Sequence, residues 1–180
     1  MRAHFLMAAG LLAAAWIAVM PARAQEVTKD NIDGITNFHR LSTVVACSGA
    51  IKPEVVPQIK QMGFVSIINL RLPTEPGANV DAEAAAAQAA GIKFYNIPFS
   101  GQAPDPAVAD KFLATLTTPG NEPAYIHCAA GNRAAAMWMI KRLALDHWDT
   151  DRAFQEATAL GLTSPALKQF AIDYAQSHKR

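Results

Sequence analysis

Apolar positions along this chain follow two rhythms. Short runs rich in β-branched and aromatic side chains occupy residues 41–46, 64–70, 93–97 and 124–127, each bounded by Gly, Pro, Ser or a charged residue. These predict strands. Between them lie stretches with helical signals. Residues 53–62 predict a helix ended by Gly63, with Pro57 expected to kink or shorten it because proline removes an internal hydrogen bond. Residues 81–90 predict an alanine-rich helix with acids in its first turn and Gly91 in the position of a C-terminal cap. Asp105-Pro106 starts a helix expected to run to about residue 116, as an N-cap followed by proline at the first helical position. Residues 134–140 are apolar on every side, the pattern of a buried central helix. One further helix is predicted near Thr150. Another starts at Ser164-Pro165, with Leu167, Phe170, Ala171 and Tyr174 on one face.

Strands alternating with helices at this spacing predict an α/β fold, a mainly parallel sheet with helices on both faces. In such folds ligands gather at the carboxyl ends of the strands, where helix N-termini point.

The N-terminus follows a different pattern. A basic start at Arg2, an apolar run from Phe5 to Met20 and the small-residue sequence Ala22-Arg23-Ala24 predict a cleavable signal peptide over residues 1–24, and with it a periplasmic or secreted protein. The apolar run is shorter than the roughly 20 residues of a membrane span, so no stable membrane insertion is expected after cleavage. Residues 25–39 are polar and are expected to form a loosely attached lead-in, and residues 40–180 to form a single domain. Loss of Arg2 and Arg23 with the leader would take the formal charge from +1 to −1. That balance lacks the basic footprint of nucleic-acid binding. With 51% of residues hydrophobic and no extended low-complexity tract, disorder is excluded. The two cysteines stand far apart, with no ligand spacing for a metal, and no cofactor is implied.

Chemistry concentrates at His127-Cys128-Ala129-Ala130-Gly131-Asn132-Arg133, which joins the end of a predicted buried strand to the start of the buried helix. Successive N–H groups at such a turn form an anion nest, and the helix dipole adds partial positive charge. A cysteine placed there is stabilised as a thiolate. Gly131 lets the loop curl, and the planar fork of Arg133 suits two oxygens of an oxyanion. The bland alternative is an inert buried cysteine beside an arginine paired with surface acid.

This loop resembles the phosphate-binding loop of cysteine-dependent protein tyrosine and dual-specificity phosphatases, whose pattern is His-Cys, five residues, then Arg. Here four residues separate Cys128 from Arg133, similar to the beta-lactamase-hydrolase-like branch of that superfamily. Ala46-Cys47-Ser48-Gly49, Gly63-Phe64 before Ile67-Ile68-Asn69-Leu70-Arg71, Tyr95-Asn96-Ile97-Pro98 and Ala159-Leu160-Gly161-Leu162 extend the likeness over residues 40–161.

The resemblance implies a protein-tyrosine-phosphatase-like hydrolase acting on a phosphorylated small molecule or phosphoprotein. Cys128 would be the nucleophile. The loop Ala129, Ala130, Gly131, Asn132 and the Arg133 guanidinium would hold the phosphate. The general acid maps to Asp105, for which helix capping is the competing explanation; Glu75 is a second candidate and Asp110 a weaker one. His127 is expected to orient the loop and favour the thiolate, or else to be a satisfied core residue. Arg71 is a candidate second cation, and Trp138 a packing residue. Cys47, at a strand end where the family usually has another residue, could bridge Cys128 and mask it. Two departures keep other readings open. Ala134 stands where these phosphatases usually carry Ser or Thr, so breakdown of the phosphoenzyme should be slow, and a non-catalytic anion-binding module is conceivable. The four-residue loop is also the length found in rhodanese-type sulfurtransferases, in which Cys128 would carry a persulfide.

Overall fold

The computed structural model describes residues 26–178, and the expected leader over residues 1–24 lies outside them. Six strands form one sheet: β1 (Val27–Ile32), β2 (Ile35–Leu41), β3 (Val45–Ser48), β4 (Ser66–Asn69), β5 (Lys93–Asn96) and β6 (Ala124–His127). Their order is β1-β2-β3-β6-β4-β5. β3, β6, β4 and β5 are mutually parallel, whereas β1 and β2 are antiparallel additions at one edge. The sheet is therefore mixed and mostly parallel.

Six helices cover it: α1 (Val56–Gln61), α2 (Val80–Ala90), α3 (Pro106–Leu116), α4 (Asn132–Ala144), α5 (Thr150–Ala159) and α6 (Pro165–Ser177). Alternation along the strands divides the interior in two. Val45, Cys47, Ile68, Leu70, Ala124, Ile126 and Cys128 face a core built with α3, α4, α5 and α6. Ala46, Ile67 and Tyr125 face a second core with α1 and α2. α4 is buried along Ala134–Ile140, as its uniformly apolar sequence requires. Its Trp138 is fully buried, packed in the larger core, and donates from Nε1 to Glu156 on α5 at 2.7 Å.

Pro57 acts by resetting a helix rather than by kinking one. A short 3-10 turn, Pro53–Val55, precedes α1, and Pro57 falls in the first turn of α1, where its missing N–H has no partner to lose.

The expected loose lead-in at residues 25–39 is corrected: it holds β1 and most of β2, a hairpin in register with β3 through His39 opposite Cys47. Its polar character reflects an edge position. β1 keeps only Val27 and Ile32 partly covered, while Ile35, Phe38 and Leu41 of β2 are buried.

β6 lies between β3 and β4. In the parallel register His127 is level with both Ser48 and Asn69, so three strand ends finish on one line. The chain leaves that line at Cys128 and enters α4, which is where parallel sheets place ligands.

Candidate active site

Cys128 is buried, at 1% exposure, where β6 gives way to the loop. Gly131 donates its N–H to Cys128 Sγ at 3.1 Å, closing the turn around the sulfur. Gly131 has φ of +102°, a conformation that L side chains rarely adopt, and it is also the N-cap of α4. A sulfur placed at this helix N-terminus therefore meets an amide and the positive end of a dipole.

The rim of the loop is tied to neighbouring strand ends. Ala129 O accepts from Ala50 N at 3.0 Å, and Ala130 O accepts from Asn37 Nδ2 at 3.1 Å. Both alanine side chains are exposed, so this part of the rim carries no bulky group. Gly49 is there for close approach: a Cβ on it would lie 2.8 Å from Ala129 O and 3.1 Å from Ala130 Cα, both backbone atoms. The Asn132 side chain belongs to the frame, and its expected part in holding the anion stays with its backbone amide. Its Oδ1 accepts from Thr163 N at 2.7 Å and Ser164 N at 2.8 Å, fastening the loop to the α5–α6 connection.

Arg133 is turned inward and held at four points. Nη1 donates to Glu75 Oε1 at 2.6 Å, Phe99 O at 2.8 Å and Leu70 O at 3.2 Å, and Nη2 donates to Glu75 Oε2 at 2.8 Å. Burial works against its charge. Hydrogen bonding to Glu75 and the attraction of Cys128 and Glu75 outweigh that, so its pKa lies above the ordinary arginine value. Gly101 packs on the same side chain, with its Cβ position 3.5 Å from Arg133 Cγ. The segment running from Phe99 toward Asp105 thus passes over the arginine.

The remaining expected residues sort by their contacts. Asp105 is exposed and accepts Ala107 N at Oδ1, 2.9 Å, as an N-cap; the other oxygen has no hydrogen bond among the described residues. Glu75 is committed to Arg133, with both carboxylate oxygens accepting from its guanidinium. The hydrogen bond from Arg133 pulls its carboxyl from 4.5 down to about 2; burial opposes this, and Leu72 N and Arg71 assist it. Asp110 is occupied by Tyr174 Oη at 2.5 Å. Arg71, expected as a second cation for the anion, is corrected to a loop brace. It is buried, and its guanidinium donates to Pro76 O at 2.6 Å, Gly77 O at 2.7 Å and Glu75 at 3.3 Å.

Cys47 and Cys128 are both free thiols. Cys47 pairs with Ile126 in the parallel register, so Cys128 lies diagonally from it. Strand spacing and rise put that diagonal at about 8 Å between Cα atoms, beyond the ~7 Å limit for a disulfide without backbone movement. The structure thus has the possible bridge open and Cys47 as a small buried residue, the alternative to it. Burial pushes the Cys47 thiol up, with Cys128 and Glu156 adding to the shift.

Glu83 went unrecognised in the sequence beyond its place in the first turn of α2. It is fully buried, accepts from Asn69 Nδ2 at 2.7 Å and stands 3.1 Å from His127 Nε2. His127 points into the α1–α2 side of the sheet, opposite to Cys128, because consecutive strand residues alternate. The available signal was helical spacing: Glu83 shares the inward face with Ala87, four residues on.

The family described as beta-lactamase hydrolase-like protein, phosphatase-like domain, matches residues 37–145. The chain belongs to that family. A beta-lactamase hydrolase-like protein from Xylella fastidiosa is 33% identical over 104 residues, which are 55% of this chain and 23% of the relative's length. This phosphatase-like chain therefore spans less than a quarter of that curated relative. Among solved structures, a protein of the DUF442 class from Shewanella putrefaciens superposes with a TM-score of 0.70 at 21% identity, over 84% of this chain and all of that one. The core catalytic domain of the PP-IP phosphatase Siw14 from S. cerevisiae gives 0.64 at 22% identity, over 80% of this chain and 88% of that one. These likenesses establish the tyrosine-phosphatase-like fold expected from the sequence, and the family match places the chain in the branch that its four-residue loop had indicated.

Proposed function

We propose that this domain hydrolyses phosphate monoesters, without a metal, through a phosphocysteine intermediate on Cys128. The observation that carries the reading is the turn at Cys128: the Gly131 amide directed at the sulfur, with the Arg133 guanidinium close enough to feel it and held in place by Glu75. Cys128 Sγ attacks phosphorus, the loop amides take up equatorial oxygens, and the edge of Arg133 left free by Glu75 supplies a fork for two more contacts. Asp105 is assigned as the acid that protonates the leaving oxygen and then activates water. Its position after the segment that covers Arg133 supports this, as does the free carboxylate oxygen. His127 acts behind the loop, on the strand that delivers the nucleophile.

Siw14 is named as acting on PP-IP, a phosphorylated small molecule. The small-residue rim at Ala129 and Ala130 is compatible with such a substrate and equally with a phosphorylated protein side chain. The leader pattern in residues 1–24 supports action in the periplasm or outside the cell. The comparisons give sulfur transfer no support.

Two assays on purified, reduced protein test the reading: aryl phosphate hydrolysis and thiosulfate-to-cyanide sulfur transfer, each with Cys128→Ser as control. Phosphate release that disappears in Cys128→Ser is the expected result. Phosphate release surviving that substitution rejects the covalent route, and sulfur transfer without phosphate release replaces it with the persulfide chemistry.

A further inference from the structure

The proposed chemistry leaves one buried acid without a task. Glu83 is fully buried on the inward face of α2, where an alanine like its neighbour Ala87 would avoid the cost of removing a carboxylate from water. Its contacts lead to the end of β4 and to the end of β6, the nucleophile's strand. Oε2 accepts from Asn69 Nδ2 at 2.7 Å and lies 3.1 Å from His127 Nε2. The approach to His127 is off the line of a hydrogen bond, and among the described residues Glu83 Oε1 and both ring nitrogens of His127 lack an aligned partner. Apart from the Asn69 bond to Glu83 Oε2, the two buried side chains have only each other. Asn69 is itself fixed, since its Oδ1 accepts Arg71 N at 2.7 Å. On the main chain, His127 O accepts Leu70 N at 2.8 Å and Cys128 N donates to Ser48 O at 3.2 Å. Side chain and backbone thus clamp the last strand residue before Cys128 from two directions.

We propose that Glu83 is a positioning residue for Cys128. Paired with His127 and steadied by Asn69, it fixes the end of β6, and with it the angle at which the sulfur enters the cup. Glu83 touches no substrate, so its influence falls on the chemical step and leaves anion binding alone. The inference rests on Cys128 being the nucleophile.

Glu83→Gln keeps the shape and the acceptor for Asn69 but removes the charge facing His127. Misplacement of a reacting atom by a fraction of an ångström to one ångström costs on the order of 10–100-fold, and a loss of that size is expected in kcat/KM on aryl phosphate, which reports formation of the phosphoenzyme whichever step limits turnover. Competitive inhibition by inorganic phosphate should stay within about twofold, since anion binding is untouched. Alkylation of Cys128 by iodoacetamide, resolved from Cys47 by peptide mass, should slow in parallel. His127→Asn should reproduce these changes, and Glu83→Gln added to it should cost nothing further, because the two residues act as one unit. Glu83→Met is the second variant, filling a similar volume without charge. It leaves the buried Asn69 donor and His127 without their acceptor, so its thermal midpoint should fall, and kcat/KM measured well below that midpoint should still be lost.

An unchanged kcat/KM in folded Glu83→Gln or Glu83→Met overturns the proposal. So does a double variant whose loss is the product of the single losses, or a loss that only tracks the unfolded fraction. If the unsubstituted protein releases no phosphate, the function proposed above fails instead, and the alkylation comparison still decides whether Glu83 sets the reactivity of Cys128.

Discussion

Glu75 grips Arg133 with both carboxylate oxygens, at 2.6 Å and 2.8 Å, across 58 positions of sequence. The two residues come from different crossovers, the loop after β4 and the first turn of α4, so their pairing joins the two halves of the site. It also decides which edge of the guanidinium remains for a substrate. The grip is itself prepared. Arg71 and Leu72 N hold Glu75 in place, and Arg71 fixes the loop by donating to the carbonyls of Pro76 and Gly77.

The first prediction concerns acid stability. The Glu75 carboxyl is held at about 2 against 4.5 by Arg133. A folded-state pKa depressed in this way contributes stability that is present above the unfolded value and lost as pH falls through the folded one. Thermal midpoints measured between pH 6 and pH 2 should therefore fall through the window from about 4.5 to about 2. Glu75→Gln should be less stable than the parent at pH 6 and converge on it at the acid end. A constant difference at all pH values would show that the pair does not carry the effect.

Gly49 supplies a second. A methyl group there would press on Ala129 O at 2.8 Å and on Thr36 Cβ at 3.0 Å, and backbone cannot yield as a flexible side-chain tip can. Gly49→Ala should displace the rim of the loop, at a stability cost of about 1–3 kcal/mol typical of overpacking. Activity should fall further than the folded fraction does. Retention of full kcat, with only a lowered thermal midpoint, would separate the rim from catalysis.

The parts of this molecule that were legible in sequence are those fixed by local chemistry. α3 begins at Pro106 with Asp105 as its cap, β6 occupies residues 124–127, and α4 follows a glycine turn, all as the local signals required. Cys128, Gly131 and Arg133 could be read together because one strand-to-helix turn carries them. The β1–β2 hairpin escaped notice because its apolar residues do not alternate: Ile35, Phe38 and Leu41 are spaced by three, and the register shifts between Asp30 and Ile32. The roles of Arg71, Glu75 and Glu83 were not readable either. Each depends on which residue faces it across the sheet, and that follows from strand order, which a linear pattern does not encode.

Ala134 is the clearest departure from the chemistry of related loops, and it is testable by addition. It is fully buried in the first turn of α4, directly after Arg133, and carries no hydroxyl to ease departure of the thiolate from the phosphoenzyme. Ala134→Ser adds one oxygen at that place. Rapid-mixing of the parent with aryl phosphate should show a burst of aryl alcohol followed by slow turnover, since breakdown limits. The serine variant should show a smaller burst and a faster steady state. An absent burst in the parent would mean that breakdown is already fast and that another group assists it.

Asp105 can be separated into its two candidate roles by a single substitution. As an N-cap it donates nothing, only accepting Ala107 N at 2.9 Å, and asparagine serves that purpose about as well as aspartate. Asp105→Asn should therefore leave the thermal midpoint nearly unchanged, while removing any proton the carboxyl could deliver. Leaving groups report that proton. An activated aryl phosphate departs without protonation, so formation of its phosphoenzyme, read as the burst rate, should change little, while its steady state slows because Asp105 also activates the water. An alkyl phosphate needs the acid, and its kcat/KM, which reports the same first step, should fall by about 10²–10⁴-fold, the usual share of general acid catalysis. Equal losses in the first step on both substrates would point to a positional effect of the loop over Arg133. No loss on either would return Asp105 to capping alone and move the acid elsewhere in the segment between Phe99 and α3.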